Sequence, residues 1–292
     1  MRPEGIFPSP EEVKESRDRL VWKIKESDKQ ECAIRVEAAK RQKFVSFCKY
    51  VAVACISVCF TLGLRYLVNQ EPTAQYVELD MESGPRMGHM TLPDGTKIIL
   101  NASSRLKFPD RFDKDLREVY LDGEAYFDVA KNEKAPFIVH TNKQKVSVLG
   151  TQVNIMDYAV DDYFITTLIT GKVNIQTLDA TGKYSDPVFM QPNQQFFYNT
   201  QTGHQAISSV KLDPQRTWVN KIYHFRNEPL VMITSRLEKL YGIKIMIRNE
   251  ELKKTEFTGT FGLDQELDEV LRIINFEKQF TCHSVNDEIY IE

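Results

Sequence analysis

Hydrophobic positions along this chain change period three times, and each change marks a new kind of element. The first 43 residues are mostly charged, yet Val13, Leu20, Val21 and Ile24 fall on one helical face with Trp22 beside them. Ser9-Pro10-Glu11-Glu12 precedes that face, placing Ser at N-cap, Pro at N1 and Glu at N3 of a capping box. A weaker stripe of Cys32, Val36 and Ala39 continues the helix. A solvated helix leading to the next segment accounts for this pattern, and so does an amphipathic helix that docks a partner.

Phe44–Val68 (FVSFCKYVAVACISVCFTLGLRYLV) then runs apolar with only Lys49 and Arg65 as charges. Its uninterrupted part, Tyr50–Leu64, is 15 residues. That part rises about 22 Å, short of a bilayer core of about 30 Å. Lys49 and Arg65 must therefore snorkel to the two interfaces, where Tyr50 and Tyr66 also fall. Lys25, Lys29, Arg35, Lys40, Arg41 and Lys43 precede the segment, whereas Glu71, Glu78, Asp80 and Glu82 follow it. The positive-inside rule puts the N-terminus in the cytoplasm. A secretory signal needs a short basic leader, and 43 charged-rich residues are too many for one.

After a polar stretch with Pro72 and Gly84, the pattern becomes apolar alternation broken by turns. Gly95, Gly123, Gly150 and Gly171 recur at a near-regular spacing inside it, which predicts stacked hairpins or solenoid-like coils of sheet. From Tyr223 the pattern changes again. Strand His224–Arg226, helix Pro229–Tyr241 with Gly242 as its stop, and strand Ile243–Ile247 form one unit. Strand Thr255–Phe261, helix Gln265–Asn275 and strand Phe280–Val285 repeat it, and Glu288–Glu292 closes a small α+β domain of β-α-β-β-α-β order.

The expected organisation is therefore a cytoplasmic helical segment (1–43), a transmembrane helix (44–68) and a tether (69–84). An all-β domain (85–200), a linker (201–222) and the α+β domain (223–292) follow.

Charge divides along the same lines. Residues 1–43 carry 11 Lys and Arg against 9 Asp and Glu, while 66–292 carry 25 against 32. The large part is mildly acidic, which argues against nucleic-acid binding. Of the cysteines Cys32, Cys48, Cys55, Cys59 and Cys282, only Cys282 lies beyond the apolar segment, so no intrachain disulfide can form there. Its alternating surroundings predict a small buried residue.

Catalytic patterns are missing. His89, His140, His204, His224 and His283 show no metal-ligand spacing, and no nucleophile elbow, phosphate loop or dinucleotide fingerprint occurs. The acidic pairs Asp161-Asp162 and Asp110…Asp113…Asp115 read as solvated turns. Asn101-Ala102-Ser103 matches a glycosylation sequon, which Asx-turn chemistry explains as well. Tyr126 and Phe127 alternate in one strand, so one ring is expected to face outward, as a glycan site would require. Neither an enzyme, a metal site nor a cofactor is expected. A one-span chain with a small inner segment and a catalytically bare outer region suits passing a binding event across a membrane.

The runs LPDGTKIILNASSRLKFP (92–109), VYLDGEAYFDVAKNEKAPFIVHT (119–141), VSVLGTQVNI and TTLITGKVNI resemble the FecR domain of membrane-anchored anti-sigma regulators. FRNEPLVMITSRLEKLYGIKI resembles the small domain that follows FecR and is similar to the STN domain of secretins and TonB-dependent receptors. This resemblance covers about Met81–Glu292. Two local departures are Asn193, where the family often has Gly, and the missing Gly after Trp218. The segment SPEEV…LVWKI looks like only the final helix of the family's cytoplasmic domain, with Trp22 at the matching place.

The resemblance implies a single-pass inner-membrane protein with a periplasmic C-terminus. Its partners would be an ECF sigma factor, the signalling domain of a TonB-dependent outer-membrane transporter, and regulatory proteases. Leu20, Trp22 and Ile24 are the expected sigma-factor contacts, and Ile289, on a terminal strand taken as a sheet edge, the expected contact for the signalling domain. Two alternatives remain open: a periplasmic glycan or siderophore sensor without sigma control, and a degenerate regulator.

Overall fold

The computed structural model describes residues 10–68, 74–179, 181–210, 218–286 and 288–292. The chain divides into two compact units, Met1–Thr73 and Ala74–Glu292. In the first, helix α1 (Pro10–Val68) runs 59 residues without a break, about 88 Å at 1.5 Å per residue. Ser9, the expected cap, lies outside the described residues. Phe47–Arg65 within α1 is long and apolar enough to cross a membrane, and its side chains are unburied. Ser57 and Thr61 donate their hydroxyls to the carbonyls of Ala54 and Val58, at 2.8 and 2.9 Å. The polar side chains of the span thus find partners on the helix itself.

The second unit begins earlier in sheet than its sequence suggests. Strand β1 (Tyr76–Asp80) occupies part of the expected tether and pairs antiparallel with β4 (Arg105–Pro109). The remaining strands of this lobe are β2 (Gly88–Thr91), β3 (Lys97–Leu100), β5 (Arg117–Asp128), β6 (Phe137–His140), β7 (Gln144–Val148) and β8 (Gln152–Asp157). They continue as β9 (Tyr163–Thr170), β10 (Val173–Thr177), β11 (Val188–Met190), β12 (Gln194–Asn199) and β13 (Gln205–Ser209). Strand β13 lies in the expected linker, of which 211–217 is outside the described residues.

Twelve-residue β5 organises the lobe. Its first half pairs with β4 and, in parallel, with β6; its second half pairs with β3 and β8. Two sheets therefore share one strand and enclose one core, including Leu106, Phe127, Phe137, Val146, Ile155 and Phe164. This is neither a stack of independent hairpins nor a solenoid. Gly123 sits where β5 crosses between sheets, at φ +125°, and a β-carbon there would come within 2.3 Å of Ser104 Oγ. Gly95 and Gly171 also have positive φ, but Gly150 does not; there Lys131 Cα would stand 2.8 Å from a β-carbon. Four similar glycines thus answer to different constraints, which is why their spacing carried no repeat. At one end of the core Arg117 is buried over the Phe137 ring, donating to Asp94 Oδ2 at 2.7 Å and to the carbonyls of Ala130 and Ala135.

The C-terminal lobe has β14 (Ile222–Pro229), α2 (Leu230–Tyr241), β15 (Lys244–Ile247), α3 (Glu250–Lys254), β16 (Glu256–Gly262), α4 (Leu267–Ile274), β17 (Cys282–Val285) and β18 (Glu288–Ile291). Helix α3 is an addition to the expected order; Asn249 caps it by accepting from Glu251 N. Gly242 ends α2 in the left-handed region, its N–H donating to Glu238 O. Strands β14 and β16 form one ribbon, and β15, β18 and β17 form a separate sheet in that order.

Candidate functional site

Leu20 and Trp22 project from α1 with 60% and 64% of their surface exposed. Arg19 pairs with Glu15 one turn away on the charged face, while Leu20 and Trp22 stand open. The side chain of Ile24 lies outside the described ones. A Leu and a Trp left bare on a helix can fill a partner's groove.

Ile289 requires a correction. Strand β18 is the middle of its sheet, paired in parallel with β15 and antiparallel with β17. Ile289 lies opposite both Ile245 and Ser284 and is only 7% exposed. A chain terminus was mistaken for a sheet edge; the last strand is drawn inward because its alternate residues, Ile289 and Ile291, are apolar. The edges are β15 and β17, and all four residues of β17 are exposed. Cys282 opens that strand and is exposed as well, not buried as its sequence context suggests.

The largest concentration of unexpected chemistry is the seam between the sandwich and the C-terminal lobe. Met87, Ile99 and Tyr126 pack on the core formed by Phe225, Leu230, Leu237, Val270 and Ile274. Phe127 points the other way, into the sandwich core. Neither ring of that alternating pair is therefore offered to solvent as a glycan platform. Three other outward rings have partners: Tyr120 stacks on His140 at 5.1 Å, Lys107 lies over Tyr76, and Lys145 lies over Tyr184, whereas Phe189 and Phe276 are bare at 71% and 85% exposed.

Polar groups knit the seam. Glu124 Oε2 accepts from Asn101 Nδ2 and Glu124 Oε1 from Asn154 Nδ2, both at 2.8 Å. Asn154 Oδ1 in turn accepts from Trp218 Nε1 at 3.2 Å. Asn101 is thereby buried structural scaffolding, held by Glu124 rather than by an Asx turn, since its Oδ1 accepts from the next residue's N–H. Trp218 opens a 3-10 turn, and the left-handed residue that the turn needs is Lys221, φ +61°.

Asp161, expected in a solvated turn, is instead 8% exposed and accepts from Lys239 Nζ at 2.9 Å and Ser235 Oγ at 3.1 Å. The Lys239 ammonium also lies over the Tyr158 ring. Nothing in the sequence separates Asp161 from Asp162; only the packing of α2 against the turn after β8 does.

Deeper in the seam Arg236 is mostly buried, with 18% of its side chain exposed. Burial alone would lower its basicity, but Glu228 and the phenols of Tyr223 and Tyr163 leave it raised well above its ordinary value. Burial pushes the Tyr158 and Tyr223 phenols far up. Arg236 Nη1 and Glu228 Oε1 are 3.4 Å apart, an ion pair without a hydrogen bond, and Arg236 Nε has no hydrogen-bond partner among the described residues. A cavity of about 20 Å³ lies among Glu124, Tyr158, Tyr223, Arg236 and Lys239. That volume admits one water and no sugar or siderophore. Among the described residues no group of three or more His, Cys, Asp and Glu could hold a metal ion.

Comparison with known proteins agrees with this division into lobes. A family model described as FecR protein matches residues 82–174, and one described as FecR, C-terminal matches 222–291. Together they take in more than half of the chain. A crystal structure of a candidate anti-sigma factor from Parabacteroides distasonis ATCC 8503 is 27% identical with a TM-score of 0.67, covering 74% of this chain and 98% of that one. A second crystal structure under the same description, at 26% identity and a TM-score of 0.66, has the same coverage. No curated protein matches the chain.

Proposed function

Since the chain belongs to the FecR family, we propose that it regulates a sigma factor from a membrane anchor, as an anti-sigma factor that answers to an outer-membrane event. The order of parts carries the reading. A helix with Leu20 and Trp22 bare precedes a candidate span, and a two-lobed unit whose seam cavity among Glu124, Tyr158 and Arg236 is about 20 Å³ follows it. Basic residues cluster before the span, so the N-terminus is cytoplasmic and the two lobes are periplasmic.

In this reading residues 1–43 hold an ECF sigma factor through the face of Leu20, Trp22 and Ile24. The C-terminal lobe, with the likeness to STN domains noted from its sequence, receives the signalling domain of a TonB-dependent transporter. Strand addition is the mode that its bare edge β17 suits, since an unpaired strand offers a row of backbone donors and acceptors. Proteolysis in or near the membrane would complete the release of the sigma factor. The similar crystal structures are described as those of an anti-sigma factor, and we extend that regulatory role, rather than an enzymatic one, to this chain.

The test joins both ends. The full chain should co-purify with the ECF sigma factor encoded beside it, and Leu20→Asp should weaken that complex, because a carboxylate in an apolar groove is costly. A 74–292 fragment should bind the transporter's signalling domain, and Ser284→Pro in β17 should weaken it while leaving the melting curve intact. Undiminished binding by Leu20→Asp would remove the α1 face, and binding by the sandwich without need of β17 would remove the edge.

A further inference from the structure

Helix α2 touches the bend that follows the first strand after the apolar span, and the contact runs through two hydroxyls. Ser103, in the tight turn between β3 and β4, has a left-handed backbone with φ +52°. Its Oγ donates to Lys239 O at 3.0 Å, which leaves it only as an acceptor for Ser83 Oγ, also at 3.0 Å. Ser83 lies in the bend three residues past the end of β1, and a β-carbon on Gly242, at the end of α2, would come within 3.0 Å of Ser83 Cβ. The last turn of α2 is thus seated on the bend that leads out of β1.

β1 itself is weakly held. Among the described residues it is an edge strand whose five residues are all exposed, paired only with β4. Arg105 forms ion pairs with Asp80 and Glu78, but all three side chains are solvated, where such pairs contribute little. Its ends are tied by Asp110 N to Gln75 O at 2.7 Å and by Met81 N to Ser104 O at 2.8 Å.

Lys239 meanwhile belongs to the seam through Asp161, Ser235 and Tyr158. Beside it Arg236 on α2 and Glu228 on β14, both within the C-terminal lobe, meet without a hydrogen bond.

We propose that α2 is a latch: while the C-terminal lobe is seated on the seam, the last turn of α2 holds β1 in the sandwich, and displacing that lobe frees β1. The proposal rests on the reading of the chain as a transducer and names its regulation. Freed β1 adds its own residues to the connection next to the anchor, which is the segment through which a signal must pass to reach residues 1–43.

Hydrogen exchange of the full chain in lipid nanodiscs tests it. In Ser103→Ala the amides of Tyr76–Asp80 should exchange roughly fivefold to tenfold faster, the factor that one net hydrogen bond contributes to a local opening. Lys239→Met, which removes the tie to Asp161, should speed them further. Amides of β5 and β8 should keep wild-type protection in Ser103→Ala. If β1 exchanges at the wild-type rate in both variants while α2 amides speed up, the latch is wrong. If Lys239→Met loosens every strand at once, Ser103→Ala alone decides. A loosened β1 with no change in a sigma-dependent reporter would count against the sigma-factor reading and leave the latch standing.

Discussion

Lys239 Nζ lies 2.9 Å from Asp161 Oδ1, with the two side chains only 12% and 8% exposed. This pair joins the C-terminal lobe to the turn after β8 and makes one compact unit of two regions that separate family models describe. Removing one partner leaves the other charge enclosed. Lys239→Met is expected to destabilise the 74–292 unit by about 3 kcal/mol, and Asp161→Leu with Lys239→Met to recover most of that loss. Urea unfolding of the four members of the cycle measures the coupling. Additive losses would show that the two charges do not depend on each other.

Gly123→Ala should cost about 3 kcal/mol, combining a forbidden backbone region with a collision against Ser104. The thermal midpoint of the same unit reads it. A loss under half a kilocalorie would mean that β5 can cross between sheets in another conformation.

Asn193 replaces a common family glycine, and its φ of +63° shows that the turn before β12 keeps its left-handed residue. Asn193→Gly is expected to be neutral within about 0.5 kcal/mol, and Asn193→Val to cost about 1–2 kcal/mol, since a β-branched side chain is the poorer fit there. Equal midpoints for the two variants would refute the backbone argument.

Burial, offset in part by Lys143 and Thr141, holds the Asp157 carboxyl above its ordinary 3.8. A carboxyl raised on folding contributes stability that is complete below pH 3.8 and is lost as the pH rises through its folded value. Wild-type stability measured relative to Asp157→Asn should therefore decline between about pH 4 and neutrality. A difference that rises with pH would show that Lys143 outweighs burial.

Periodicity alone carried much of this protein. The apolar run of 44–68, the alternation of the sandwich strands and the face of Leu230, Ile233 and Leu237 on α2 are local patterns, and local patterns need no partner to be read. Asn193 and Gly242 were likewise legible, because a left-handed backbone selects the residue at the position itself. Pairing was not. Ile289 looks like an edge residue in sequence and lies mid-sheet in space, because strand order depends on which distant strand arrives on either side. Tyr76–Asp80 reads as a polar tether until β4 supplies its ladder. Asp161 and Asp162 are identical in sequence context, and only the descent of α2 onto one of them makes it a buried ion-pair partner. The sequence by itself determined the elements and their faces, which follow from forces acting within a few residues. The edges, the seam and the seating of α2 on the bend after β1 come only from the folded chain, because these arise from contacts between residues tens to more than a hundred positions apart.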